Sequence, residues 1–303
     1  MTCSTLTATA SSLPKSFPQA ELAAATGATP VRWEVVRGSG YGTNTTKWSV
    51  ELDDGRRVFV KFALDDLASD WLRDEWRVYG SLSADFLPEL VAWHDSGGTT
   101  FLILEDLADA HWPPPWLPGQ VSLVLEALEE VHAAKPPPAM PFLADLRGEL
   151  DGWPAVAADP EPFLSTGVCS REWLAAALPQ MTRASAECEL AGEALVHFDL
   201  RGDNLCIRDG RVMIIDWNHA CIGNPALDAV GWAPSLCLEG GPDPWVLVPQ
   251  TGGLAALIAG YFASRAGLPA PDTAPTVRAF QRRQAEVALP WASRELGLPW
   301  TAA

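Results

Sequence analysis

The sequence has 303 residues, of which 48% are hydrophobic, so it can form a large core in one domain or in two lobes. Its net charge of −17 at pH 7 excludes a role that depends on attraction to the phosphates of DNA or RNA. The six cysteines show no C-x-x-C pair and no regular spacing, and no uninterrupted apolar stretch resembles a leader or a membrane span. We therefore expect a cytoplasmic protein without nucleic-acid or membrane partners.

The first part of the chain is predicted to contain five strands and two helices. A short helix is expected at residues 18–26 and an amphipathic helix at 66–82. The predicted strands are residues 31–37, 45–52, 56–62, 89–94 and 99–104. Asp54-Gly55, between the second and third strands, predicts a tight hairpin turn.

The second part is predicted to be mainly helical. A proline-rich break at residues 111–119 separates it from the strands, and we place the boundary between two lobes just before this break, at 1–106 and 107–303. Residues 136–166 are rich in Pro, Asp and Glu and are expected to form irregular loops with short helices. Longer helices are predicted at residues 121–135, 171–190, 225–239, 252–266 and 275–296.

Residues 194–216, ALVHFDLRGDNLCIRDGRVMIID, combine H-x-D-x-x-x-x-N with a predicted β-hairpin that ends in aspartate. Phosphoryl transfer needs a carboxylate that orients the attacking hydroxyl and accepts its proton, and oxygen ligands for Mg²⁺ on the phosphates. Asp199 can be that carboxylate, and the hairpin would bring Asn204 and Asp216 together as metal ligands. Arg201 could neutralise charge on the γ-phosphate. The H-x-D-x-x-x-x-N motif alone should occur by chance in roughly one chain of this length in a hundred. The hairpin that follows it makes a chance match less plausible.

This segment resembles the catalytic core of the aminoglycoside phosphotransferase family, kinase-fold enzymes that also include choline and sugar kinases. Asp216-Trp217 and the following residues 223–228, GNPALD, are similar to the family pattern I-D-W…G-D-P-x-x-D. The resemblance implies an α+β, protein-kinase-like bilobal fold with an N-terminal five-stranded antiparallel sheet plus helix and a mainly helical C-terminal lobe. It also implies ATP and Mg²⁺ as cofactors, and Asp228 as an anchor of the catalytic loop.

The sequence departs from this pattern in two places. Asn224 replaces the usual aspartate, and Phe198 stands where the family often has glycine. D-F-G and A-P-E motifs are also absent, which argues against a protein kinase switched by phosphorylation. His197 is expected to support the loop through hydrogen bonds rather than to titrate in the reaction.

A kinase-type site also needs a lysine on the third strand and a glutamate on the next helix. Lys61 ends the strand, and Glu75 lies on the helix at 66–82. At about 100° per residue, Glu75 falls within about 20° of the centre of the apolar face, and Asp74 falls about 80° away. That face is defined by Leu67, Trp71, Leu72, Val78, Tyr79 and Leu82. A buried carboxylate needs a partner, so we predict an ion pair with Lys61, which would also hold the α- and β-phosphates. A solvent-exposed lysine with an edge glutamate is the alternative.

Two further segments are placed where the nucleotide would bind. The glycine-rich residues 37–44 lie between the first two strands, where a phosphate-covering loop belongs, and make Ser39 and Gly40 nucleotide-binding candidates. Residues 101–107 resemble the family hinge whose backbone pairs with adenine, and here Glu105 and Leu107 are the candidates.

The acceptor is expected to bind in the variable helical part. Its acidic candidates are Asp145, Glu149, Asp151, Glu239 and Asp243. If the acceptor is an aminoglycoside or another polyamine-like hydroxyl compound, several of these carboxylates should face the cleft beyond Asp199. Alternatively, the excess of acidic residues only keeps the protein soluble.

Together these features predict an ATP-dependent O-phosphotransferase that acts on a small molecule, with an aminoglycoside or related antibiotic as the leading acceptor. The alternatives are a kinase of a metabolite, such as a sugar, a nucleoside, or an amino alcohol like choline or homoserine, and a nucleotide-binding pseudokinase that acts as an interaction module. A Ser/His/Asp hydrolase is set aside because G-x-S-x-G is absent.

Overall fold

The computed structural model describes residues 17–36, 44–272 and 274–300. Ser39 and Gly40 of the predicted phosphate-covering loop lie outside the described residues, so their role stays a prediction.

A five-stranded antiparallel sheet forms the first part of the chain, as predicted. Its strands are β1 (Pro30–Val35), β2 (Thr45–Leu52), β3 (Arg57–Ala63), β4 (Leu90–Ser96) and β5 (Thr99–Glu105). The strand order is β1-β2-β3-β5-β4, and all neighbouring pairs are antiparallel. Helix α1 (Gln19–Thr26) precedes the sheet, and α2 (Asp66–Tyr79) connects β3 to β4.

Successive side chains along β2 and β3 point to alternate faces of the hairpin. Trp48 and Val50 on β2 and Val58 and Val60 on β3 are buried in one hydrophobic core. Gly55 adopts a φ of 86° in the connecting turn, a conformation that glycine takes without steric cost. The residues between the buried ones therefore face the opposite side of the sheet, toward the rest of the molecule.

Helix α2 begins at an N-cap, because Asp65 accepts a hydrogen bond from Ala68 N at 2.8 Å. Ala68 and Leu72 pack together with Ala63 of β3 and set the buried face. The prediction for Leu67 was wrong: it is 59% exposed, since it precedes Ala68 by one residue and so points about 100° away from that face. The helix also ends at Tyr79 rather than near residue 82.

The remaining chain is mainly helical, as predicted. Its helices are α3 (Gln120–Ala133), α4 (Arg147–Leu150), α5 (Trp153–Ala158), α6 (Glu161–Leu164), α7 (Arg171–Glu187), α8 (Ala226–Leu238), α9 (Pro244–Leu247), α10 (Gly252–Ala266) and α11 (Val277–Glu295). Two antiparallel ribbons are set among them: β6 (Ala194–Val196) with β9 (Cys221–Gly223), and β7 (Leu205–Arg208) with β8 (Arg211–Ile214). The sequence predicted the second ribbon but not the first, whose three-residue strands are too short to show a periodic pattern.

One hydrophobic core fixes the helices of the C-terminal part. Met181 of α7, Ala259 of α10 and Trp291 of α11 are all buried in it. Helix α10 approaches α5 so closely that a Cβ on Gly260 would lie 2.6 Å from the ring of Trp153. This packing gives α10 and α11 fixed positions beside the predicted catalytic loop. Among the described residues, no helix has both the length and the apolar composition that crossing a membrane would require.

Candidate active site

The predicted catalytic loop runs from β6 to β7 and contains Asp199. His197 at its start is buried, and its Nε2 lies 2.8 Å from the carbonyl oxygen of Ile215, just after β8. Its ring packs against Trp217 with a centroid distance of 4.6 Å. Burial lowers the pKa of His197, so the ring is neutral near pH 7. His197 therefore joins the loop to the β7–β8 ribbon through a hydrogen bond and a ring contact.

Asp228 of α8 holds the same loop from behind. Its fully buried carboxylate accepts hydrogen bonds from Phe198 N at 2.8 Å and His197 N at 3.1 Å, and lies 3.0 Å from His132 Nε2. Phe198 adopts a φ of 72°, the left-handed region that favours glycine. The two hydrogen bonds to Asp228 hold the strained residue in place.

The Asp199 carboxylate lies between a guanidinium and an amide. Arg201 Nη1 is 3.0 Å from Asp199 Oδ1, and Asn204 Nδ2 is 3.1 Å from Oδ2 and 2.8 Å from the Asp199 carbonyl oxygen. Arg201 Nε also contacts Asp203 Oδ1 at 2.9 Å. The side chain of Asp199 is 32% exposed, so it is oriented from behind and still open to the cleft.

The β7–β8 ribbon brings Asn204 and Asp216 to the same end, as predicted. Ile215 N donates to the Asn204 carbonyl oxygen at 2.9 Å, which continues the ladder to the residue before Asp216. Asp216 adopts a φ of 63°, a strained conformation that sets the direction of its side chain. No group of three or more His, Cys, Asp or Glu side chains suited to a metal ion occurs among the described residues. One amide oxygen and one carboxylate fit Mg²⁺, which takes its other ligands from phosphates and water.

Lys61 lies between two carboxylates in the cleft. Its Nζ is 2.7 Å and 2.9 Å from the two Glu75 oxygens, and it also contacts Asp216. The predicted ion pair between β3 and α2 is thus present, and both partners are buried. Burial alone would raise the pKa of Asp216, but the charges of Lys61 and then Lys47 outweigh it and hold this pKa well below its usual range. Burial likewise opposes the charge on Lys61, and Asp216 and Glu75 keep its pKa above its usual value.

Lys47 is a cleft residue that the sequence analysis missed. It lies directly opposite Lys61 in the β2–β3 register, and its Nζ is 4.0 Å from Asp216 Oδ2. The position of the turn alone did not reveal it, because a two-residue Asp54-Gly55 turn would pair residue 47 with residue 62, whereas the actual loop spans residues 53–55 and pairs 47 with 61. Two lysines therefore face the ribbon that carries Asp216.

The predicted hinge follows β5. The Glu105 side chain contacts Arg208 and accepts from Glu89 N at 2.9 Å, so it joins the hinge to both parts of the chain. The Leu107 carbonyl oxygen accepts from Trp112 Nε1 at 3.0 Å. Within the described residues, no hydrogen bond is formed to the Leu107 N–H. The backbone of Leu107 thus keeps a donor that an adenine edge could use.

A cleft of about 300 Å³ joins these groups and extends toward α8, α10 and α11. Lys47, Lys61, Asp199 and Asp216 line it. The five acidic acceptor candidates do not: Asp145, Glu149, Asp151, Glu239 and Asp243 are absent from the described residues that line it. The expectation of an acidic acceptor wall therefore finds no support in this cleft.

These five carboxylates have other environments. Glu239 Oε2 accepts from Trp116 Nε1 at 3.0 Å, behind the catalytic loop. Asp151 Oδ1 accepts from Ser185 Oγ at 2.9 Å. The other three are exposed: Asp145, Glu149 and Asp243. Sequence position could not show which of these carboxylates reach the cleft, because that depends on how the helices pack.

Comparisons with known proteins identify the family and the fold. A model of the phosphotransferase enzyme family (APH) matches residues 36–273. No curated protein matches the chain. Among solved structures, a choline/ethanolamine kinase family protein from Mesorhizobium loti is similar with 17% identity and a TM-score of 0.59, over 92% of this chain and 96% of that one.

Two other solved structures have the same overall fold. Macrolide 2′-phosphotransferase type I is 20% identical with a TM-score of 0.50, over 91% of this chain and 90% of its own. An amicoumacin kinase in complex with AMP-PNP and Ca²⁺ is 12% identical with a TM-score of 0.50, over 88% of this chain and 91% of its own. These similarities confirm the predicted kinase-like fold. Because the family model spans most of the sequence, including the motif at residues 194–228, the chain belongs to the phosphotransferase enzyme family.

Proposed function

We propose that this protein transfers the γ-phosphate of ATP to a hydroxyl group of a small molecule. The observation that carries the proposal is the position of Asp199, whose carboxylate is oriented by Arg201 and Asn204 and still opens into the cleft. A carboxylate held in this way can accept a hydrogen bond from an acceptor hydroxyl and take its proton as the phosphate is transferred.

The opposite wall of the cleft supports the binding of nucleotide phosphates. Lys61 is held by Glu75 and would contact the α- and β-phosphates, and Lys47 adds a second positive charge on the same face. Asn204 and Asp216 would hold Mg²⁺, which when bound neutralises charge on the phosphates. Asp216 stays ionised because its pKa is held low, so it is ready to act as a ligand at neutral pH. The amicoumacin kinase complex, with its nucleotide analogue and divalent cation, gives a precedent within the same fold.

Two lobes follow from the same arrangement. We assign residues 1–106 to a nucleotide-binding lobe, since all strands of the large sheet and the hinge residue Glu105 fall within them. Residues 107–303 are assigned to a catalytic and acceptor-binding lobe that carries the loop around Asp199. We also propose a cytoplasmic location and no nucleic-acid partner, from the cysteine pattern and the acidic net charge.

A role in antibiotic resistance is the leading biological proposal, because macrolide and amicoumacin kinases have this fold. Phosphorylation of a metabolite is the second candidate, favoured by the similarity to a choline/ethanolamine kinase family protein. A pseudokinase is disfavoured because Lys61, Asp199 and Asp216 are all present and line one cleft, and Asn204 is also present and donates to Asp199.

The test is ADP formation with Mg²⁺ and a panel of hydroxyl compounds, using the Asp199→Asn variant. We expect kcat to fall by about 10²- to 10⁴-fold, the range for loss of a general base, while ATP binding measured by calorimetry stays within about twofold. The matched control is Asp209→Asn, the same chemical change at an exposed turn residue whose φ of 53° asparagine also accepts. Equal turnover by Asp199→Asn and the wild type would refute the role of Asp199.

A further inference from the structure

The half of the cleft beyond Asp199 contains no charged group from the helices that form its wall. Helices α8, α10 and α11 contribute no Asp, Glu, Lys or Arg to the lining formed by the described residues. Aromatic rings take their place: Tyr261, Phe262 and Phe280 line the cleft together with Phe198 of the catalytic loop. A polycationic acceptor would lose its hydration here without gaining carboxylate partners on these helices, which disfavours it.

The aromatic wall is also poorly suited to a single organic cation. Such cations bind over ring faces, but two of these rings already have a guanidinium nearby. Arg265 lies 3.9 Å from the centroid of Tyr261, and Arg201 lies 5.8 Å from that of Phe280. Because Arg201 is paired with Asp199 and Asp203, the argument rests on Arg265: a cationic ligand would compete with this guanidinium for the Tyr261 ring, whereas an uncharged ligand would not be repelled.

Phe198 gives independent support for an apolar contact. Its φ of 72° lies where glycine is preferred, so a bulky side chain at this position carries a backbone cost. The ring lines the cleft one residue before Asp199, and it also packs against the core of the helical lobe. Strain of this kind persists where the side chain serves the site, and here the side chain adds an apolar surface next to the reacting carboxylate.

Gln284 supplies a polar group in the same wall. This α11 residue lines the cleft and is only 1% exposed, yet its Oε1 has no hydrogen-bond partner among the described residues. Buried amide oxygens in proteins are nearly always paired. Rotation of this amide toward the cleft would let a ligand that carries an N–H or O–H donor complete the pairing.

We propose that the acceptor is an uncharged hydroxyl compound with an apolar ring body that packs against Phe198 and the aromatic wall and donates a hydrogen bond to Gln284. This inference rests on the proposed phosphotransfer to a small-molecule hydroxyl and narrows its substrate class. It replaces the cationic acceptor that the acidic composition had suggested.

The first test compares acceptors of different charge. ADP formation is measured with phenyl glucoside and an uncharged nucleoside, and with choline and kanamycin as cationic acceptors. We expect kcat/KM for at least one uncharged acceptor to exceed that for either cation by about tenfold or more. A higher kcat/KM for choline or kanamycin would overturn the inference and leave the proposed function standing. If ATP·Mg²⁺ binds but no acceptor raises ADP formation, the proposed function fails, and this inference fails with it.

The second test assigns the Gln284 contact. Gln284→Met keeps the length of the side chain and removes its amide, and should raise KM for the best uncharged acceptor by about tenfold while leaving KM for ATP unchanged. The matched control is Gln180→Met, at a partly buried glutamine of α7 that is absent from the cleft lining. An unchanged acceptor KM in a Gln284→Met variant whose KM for ATP is normal would refute the contact.

A second variant remains informative if Gln284→Met does not fold. Phe198→Gly deletes the ring and at the same time relieves the left-handed strain, so the melting temperature should fall little while the acceptor KM rises by about tenfold. Phe198→Leu keeps an apolar side chain and should recover most of the acceptor affinity. Equal acceptor KM values in Phe198→Gly and the wild type would contradict the proposed packing.

Discussion

Replacing Glu239 with glutamine should stabilise the protein at neutral pH without weakening acceptor binding. Glu239 lies behind the catalytic loop, where Trp116 Nε1 donates to its Oε2 at 3.0 Å. Burial raises the pKa of Glu239 from 4.5 to about 6. The hydrogen bond from Trp116 lowers this pKa, and the negative charge of Asp203 raises it by a smaller amount. The ionised form is therefore disfavoured in the folded state, and a neutral amide of the same shape removes this cost.

The size of the effect follows from the pKa difference. Each pKa unit corresponds to about 1.4 kcal/mol, so 1.5 units give about 2 kcal/mol, which we reduce to about 1 kcal/mol because the side chain is only partly buried. The folded pKa of Glu239 lies above the unfolded value, so this group favours folding when protonated. That contribution is complete below about pH 4.5 and is lost as the pH rises through about 6.

Urea unfolding of the wild type and of Glu239→Gln at about pH 7.5 and pH 5 measures this difference. The variant should be more stable at the higher pH, and its advantage should shrink by more than half at the lower pH, where the wild-type carboxylate is largely protonated. The control is Glu149→Gln, at an exposed carboxylate, which should change the unfolding free energy by less than about 0.5 kcal/mol. A difference that does not change with pH would refute the burial argument, and a raised acceptor KM in Glu239→Gln would restore the sequence-based role of Glu239 at the acceptor.

Three further predictions concern the nucleotide side and the catalytic loop. Lys47→Met should raise KM for ATP by about threefold to tenfold, because a positive charge that faces the phosphates is lost, and an unchanged KM would argue against its role. Glu75→Gln should lower the unfolding free energy by about 2–3 kcal/mol, since Lys61 would keep only Asp216 as a charged partner; equal loss in Asp74→Asn, at the half-buried neighbour that pairs with Arg77, would contradict this reasoning. Asp228→Asn should lower kcat and the melting temperature but leave ATP binding unchanged, because it weakens the acceptor for the backbone N–H groups of His197 and Phe198. A normal kcat in that variant would show that the loop does not depend on this anchor.

Several features of the candidate site could be predicted from local sequence. The angular position of Glu75 on α2 predicted its burial, and its need for a partner predicted the ion pair with Lys61. The turn Asp209-Gly210 predicted the ribbon that brings Asn204 and Asp216 together. Both predictions depend on periodicity or turn chemistry, which neighbouring residues determine without reference to the rest of the chain.

Other local signals located an element without fixing its details. Asp54-Gly55 located the β2–β3 turn but not its length: a two-residue turn would pair Lys47 with Phe62, and the actual loop of residues 53–55 pairs it with Lys61. Leu67 shows a second limit. It is apolar and was predicted to belong to the buried face of α2, but it lies one position from that face and is exposed. Hydrophobicity alone does not locate the edge of a helix face, since the width of the buried stripe depends on what packs against it.

The sequence by itself determined the order of the large-sheet strands and of the longer helices, the pairing of Lys61 with Glu75, and the family resemblance, because each depends on spacing or periodicity within short segments. Only the tertiary structure decided the acceptor wall. Helices α8, α10 and α11 all fall within residues 226–295, but their packing decides which faces meet: it brings aromatic residues and Gln284 into the cleft lining with Asp199, whereas Glu239 and Asp243 are absent from that lining. Charge composition could not show this, because it counts acidic groups without regard to the face of the helix from which each one projects.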